Sequence, residues 1–221
     1  MRRCVFLAAL VAAGLALAAR AADRDVPEGF QPLFNGKDLS GWQVNEGGKL
    51  DRWGAGDGIL FTTGKPGGGW LMTEKEYGDF EILLEYKVPK AGNSGVALRS
   101  PLKGDPAYVG MEIQILDNPW YLDEKNYKGL KPVQLTGAIY GVVAPEPDAT
   151  KKAGTWNKMH ITAKGRHVTV EVNGTRVVDA DLDDYKEHAK QHPGLLRDQG
   201  RLGLQCHTDR VEFRHIYVKP L

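Results

Sequence analysis

Short runs in which apolar and polar residues alternate with a period of two constrain this chain more than any other feature. Phe80-Glu-Ile-Leu-Leu-Glu-Tyr-Lys-Val88 puts Phe80, Ile82, Leu84, Tyr86 and Val88 on one side, and Glu81, Leu83, Glu85 and Lys87 on the other. Tyr108-Val-Gly-Met-Glu-Ile-Gln-Ile-Leu-Asp-Asn118 does the same, with Val109, Met111, Ile113 and Ile115 opposed to Tyr108, Gly110, Glu112 and Gln114. Helical periodicity is nearly absent, and Gly, Pro and Asn separate the runs. That punctuation is the mark of a sandwich or jelly roll.

The pattern predicts strands over Gly58–Thr62, Trp70–Thr73, Asp79–Val88, Ser94–Arg99, Val109–Leu116, Gly137–Val143, Asn157–Lys164, His167–Asn173, Arg176–Asp181, Arg201–His207 and about Arg210–Val218. Val172-Asn-Gly-Thr175 is a hairpin signal, because Asn-Gly supplies the two positive φ angles of a type I′ turn. Asp184 to Gln191 is the one helical stretch, closed by Pro193-Gly194. The glycines of 64–69 lack the Gly-Lys-Ser/Thr ending of a phosphate loop and read as a flexible connection.

The first 21 residues read as a signal peptide: Arg2-Arg3, then an apolar run from Cys4 to Ala19, then an A-x-A site at Ala19-Arg20-Ala21. The run is roughly 16 residues, short for a membrane span. Cleavage after Ala21 would give a periplasmic or secreted protein with no membrane anchor, and residues 22–221 would form a single domain. Basic and acidic side chains balance at 29 and 28, which offers nothing to nucleic acid. Only Cys206 would remain after cleavage, so burial rather than a disulfide must hold the fold.

Three predicted strands carry outward sets of small and polar groups: Gly95/Ala97/Arg99, Gly110/Glu112/Gln114 and Gln205/His207. Either each is a solvated sheet face, or the strands are neighbours and the sets converge on one concave site. Trp70 and Trp120 stand next to loop segments and could stack on a sugar ring, whereas Trp156 opens a strand and reads as core. His160, His167, His188 and His192 have no metal-ligand spacing, which argues against zinc. A divalent ion on loop carboxylates and amides stays open.

Phe30-Gln-Pro-Leu-Phe-Asn-Gly-Lys-Asp-Leu-Ser-Gly-Trp42, Glu76-Tyr-Gly-Asp-Phe-Glu81, Asn93-Ser-Gly-Val-Ala-Leu-Arg99, Gly110-Met-Glu-Ile-Gln-Ile-Leu-Asp117 and Thr136-Gly-Ala-Ile-Tyr-Gly141 follow in order. Then come Thr155-Trp-Asn157, Val172-Asn-Gly174, Gly203-Leu-Gln-Cys-His207 and Phe213-Arg-His-Ile216. This ordered set, over about residues 28 to 219, resembles the 3-keto-disaccharide hydrolase family. Cys206 and Thr208 flank His207 where the family more often has an acidic residue and a glycine, and His215 stands where Asn is usual.

The resemblance implies an all-β, concanavalin A-like jelly-roll sandwich of two antiparallel sheets. It also implies hydrolysis of glycosides already oxidised to a ketone at C3, downstream of a sugar 3-dehydrogenase. A ketone at C3 acidifies the C2 proton, so a base can start an elimination that expels the group on C1, and water then adds back. On that reading Glu112 is the base, Arg99 stabilises the enolate, and His207 is the acid/base partner. Gln114, Gln205, Tyr140, Asn93, Trp70 and Trp120 would bind the sugar; the reading names no certain cofactor, and a divalent metal could serve as electrophile. Two alternatives stand beside it: a lectin-like binding module without catalysis, and a two-carboxylate glycosidase using Glu112 and Asp117.

Overall fold

The structure is a computed structural model that describes residues 26–221. The proposed signal peptide lies outside the described residues. Thirteen strands form two antiparallel sheets among the described residues. The larger has the order β11 (Thr175–Asp181), β10 (His167–Val172), β9 (Asn157–Lys164), β6 (Phe80–Lys87), β13 (Glu212–Pro220), β4 (Ile59–Thr62) and β3 (Trp53–Gly56), with β1 (Gln31–Pro32) on β13. The smaller runs β2 (Trp42–Val44), β5 (Gly69–Tyr77), β12 (Gly200–Cys206), β7 (Asn93–Ser100) and β8 (Met111–Leu116). This is the concanavalin A-like jelly-roll sandwich.

The core lies between the sheets because the alternation places it there. Phe80, Ile82, Leu84 and Tyr86 of β6 meet Val96, Leu98, Met111, Ile113 and Ile115 of β7 and β8 in one apolar cluster. Each such side chain contributes roughly 1.5–3 kcal/mol through burial. The Asn-Gly hairpin forms as its chemistry requires, with Asn173 at φ 52° and Gly174 at φ 83° between β10 and β11.

Four expectations differ. Residues 137–143 form no strand; single bridges of Ile139 to Ile113 and Val143 hold them. Residues before Met111 form a short helix, α1 (Pro106–Val109), because Pro106 presets the first helical φ and Asp105 accepts from Ala107 N at 3.1 Å. Gly110 makes no space for a ligand: a Cβ there would overlap Ser100, and the chain at Gly194 presses on its carbonyl. Trp156 is not core but half-buried, between the cations of Lys87 and Arg214 at 5.0 and 4.1 Å from its ring centre.

Candidate active site

The outer face of the smaller sheet is where the predicted groups meet. Strand register sets Glu112 opposite Ala97, Ala97 opposite Gly203, Gly203 opposite Met72 and Met72 opposite Gln43, a single row across all five strands. In the next row Gln114 faces Gly95 and Gln205 faces Trp70. The glycines make a trough in this face. A Cβ on Gly95 would overlap the Glu112 carboxyl group, and one on Gly203 would overlap the Met72 sulfur. Glu112 therefore lies across β7, on the one residue type that leaves it room.

Glu112 is 3% exposed, and its Oε1 has no hydrogen-bond partner. Burial, and behind it the negative charge of Asp105, pushes its pKa from the usual 4.5 up to about 8. At neutral pH the group keeps its proton. Two more buried oxygens without partners belong to outward side chains of the adjoining strands, Oδ1 of Asn93 and Oε1 of Gln205. Three buried oxygens on one sheet face are thus left able to accept a hydrogen bond. Gln114 is buried, with Oε1 accepting from Ile115 N at 3.0 Å.

A lid covers part of this face. The loop after β7 crosses toward β2, where Glu46 N donates to Leu102 O at 2.8 Å, and Leu102 and Ala107 pack on Trp70, Met72 and Ala97. Tyr140 joins the same cluster; its backbone N donates to Glu112 O at 2.9 Å, and its hydroxyl accepts from Gln134 Nε2 at 3.1 Å. Trp70 is therefore a packed wall at 4% exposure rather than an open platform. Beside the lid opens a cavity of about 370 Å³, with Asn45, Trp70, Asp105, Gln205 and His207 in its lining. His207 is exposed at the rim, just past the end of β12.

Arg99 does not share this face. Its backbone turns to φ 48°, and opposite it the register of β12 shifts between Arg201 and Gly203, so alternation ends at Leu98. The guanidinium is fully buried. It donates to the carbonyls of Gly78 and Gly165 at 2.9 and 2.8 Å and to Asp79 Oδ1 at 3.0 Å. Its role in this structure is to tie together the loops at one end of the sandwich. Asp117, the other carboxylate of the two-acid alternative, is also committed, accepting from Ala91 N at 3.0 Å. Trp120 sits in α2 (Asn118–Leu122), half-buried and edge-on to Tyr121 with ring centres 4.7 Å apart.

Sequence reasoning passed over Asp105. A lone Asp in Lys103-Gly-Asp-Pro106 reads as turn punctuation, and only the folding-over of the loop brings it into the cavity. A second cavity, about 570 Å³, lies on the outer face of the larger sheet. Its ionic groups are engaged with partners: Glu85 with Arg214, His160 with Glu81, Glu171 with Arg176. Among the described residues no group of three or more His, Cys, Asp or Glu could hold a metal ion, and no helix is long and apolar enough to cross a membrane.

Two antiparallel sheets packed over one apolar core place this chain among the concanavalin A-like sandwiches. A Bacillus subtilis protein with a galectin-like fold shares that fold at 12% identity, with a TM-score of 0.54 over 86% of this chain and 94% of its own. More particularly, the chain belongs to the family of 3-keto-alpha-glucoside-1,2-lyase-like domains, whose model matches residues 29–219. It is similar to a 3-keto-disaccharide hydrolase of Bacteroides thetaiotaomicron, 29% identical, over 88% of this chain and 79% of that protein. A glycosyl hydrolase candidate from Parabacteroides distasonis has a solved structure 32% identical to it, with a TM-score of 0.74 over 87% of this chain and 99% of that one.

Proposed function

We propose that this protein is a glycosidase that cleaves glycosides carrying a ketone at C3, by elimination followed by hydration. One observation carries the reading: Glu112 is a buried carboxyl group with an unpartnered oxygen, on the same sheet face as the unpartnered oxygens of Asn93 and Gln205. The amide oxygens suit the hydroxyls of a sugar, which donate hydrogen bonds. The carboxyl group supplies what a lectin has no use for, a proton held ready at neutral pH in a dry site.

Protonation of Glu112 turns its assignment from base to acid. With the C2 proton removed, the enolate re-forms the C3 carbonyl, C1–C2 becomes a double bond, and the bond from C1 to the glycosidic oxygen breaks. Glu112 gives its proton to that leaving oxygen. It then takes a proton from the water that attacks C1, while C2 regains its hydrogen, so the net reaction is hydrolysis. The ketone has to be installed upstream by a sugar 3-dehydrogenase, and the N-terminal segment suits an exported enzyme meeting its substrate outside the cytoplasm.

The test is a paired incubation of the protein with a glucoside and with its 3-keto form, following aglycone release. Release from the 3-keto form alone, lost in Glu112→Gln, is the expected result. Release from both would indicate an ordinary glycosidase. Release from neither, with sugar binding retained in the variant, would indicate a binding module.

A further inference from the structure

We propose that Asp105 is the second catalytic carboxylate of this site, the base that removes the C2 proton, with Glu112 as its acid partner; the assignment rests on the elimination reading above. Asp105 caps α1, and the hydrogen bond from Ala107 N to its Oδ1 fixes the side chain at the start of the segment that runs through Gly110 into β8. It lines the cavity with Gln205 and His207, so a sugar held there lies against it. Glu112 is buried on the same sheet face at the other end of that segment.

The environments of the two acids differ as their tasks require. Asp105 is solvent-exposed at the cavity, where a substrate can reach it. Glu112 is dry and feels the charge of Asp105, which helps it keep its proton. One carboxyl group open to the cavity and one buried on the sheet face can divide the work of base and acid. The proton balance closes without a co-reactant. Asp105 takes hydrogen from C2 as Glu112 protonates the leaving oxygen; Glu112 then recovers a proton from water and Asp105 returns one to C2.

A 3-keto glycoside in deuterated buffer, followed by NMR at C2 and by aglycone release, separates the roles. Glu112→Gln is expected to incorporate deuterium at C2 while losing most aglycone release. Asp105→Asn is expected to lose both, by roughly 10²–10⁴-fold. Deuterium incorporation that survives in Asp105→Asn overturns the proposal, as does its loss in Glu112→Gln alone, which would make Glu112 the base. If the wild-type protein neither exchanges C2 hydrogen nor releases aglycone, the substrate reading itself fails. The carboxyl pairing is then judged by ¹³C titration of Glu112: a midpoint that falls in Asp105→Asn supports it, and an unmoved midpoint refutes it.

Discussion

Replacing Glu112 by Gln should make the protein more stable and less active, and the gain should depend on pH. In the unfolded chain Glu112 ionises near 4.5, whereas in the folded chain it holds its proton up to about 8. Between those values the folded state binds more protons than the unfolded one, so wild-type stability falls as pH rises. Below 4.5 both states are protonated and the loss vanishes. At ~1.4 kcal/mol per pH unit, the loss grows to about 2 kcal/mol at pH 6 and about 4 kcal/mol at pH 8. It levels off near 5 kcal/mol above pH 9, an upper figure because the folded site can relax around the charge. Glutamine has nearly the same shape and no charge, so the variant escapes the loss. Urea unfolding of both proteins at pH 5, 6, 7, 8 and 9 measures it, and with m of roughly 2–3 kcal/mol/M the midpoints should separate by about 1.5–2 M at pH 8. A difference that stays constant across that range would refute a buried, protonated Glu112.

The remaining predictions concern the residues around it. Gly95→Ala should displace Glu112, costing about 1–3 kcal/mol by overpacking and lowering kcat more than KM rises; unchanged kcat would mean that the carboxyl group does not need its trough. Arg99→Met should cost about 3–5 kcal/mol in denaturant unfolding, since it strips the buried partner from Asp79 and three carbonyls. The folded fraction should keep its KM, and a large KM increase would return Arg99 to the substrate site. Gly174→Ala should cost about 1 kcal/mol or more at φ 83°, with activity untouched, as thermal unfolding and aglycone release can show.

Much of the site was legible because β-structure has a simple rule. Gly95, Ala97, Glu112, Gln114 and Gln205 do point to one face, and β7, β8 and β12 are neighbours. The rule failed where the backbone left it. Arg99 was misplaced because its positive φ and the extra residue that β7 carries against β12 reverse its side, and no residue pattern announces a bulge. Tyr108 was read as strand because its period continued that of Glu112, although Asp105-Pro106 is itself a helix-start signal. The protonated state of Glu112 could not be read at all, since it depends on how much water the lid excludes.

The sequence by itself determined the sandwich, the family and the polar row of the smaller sheet, because these follow from local alternation and ordered motifs. The tertiary structure decided three things: that Arg99 holds loops together, that burial raises the pKa of Glu112, and that Asp105 reaches the cavity. The physical reason is common to all three. Strand periodicity is carried by covalent geometry and survives in one dimension, whereas desolvation and charge proximity belong to chain segments far apart in sequence that meet only on folding.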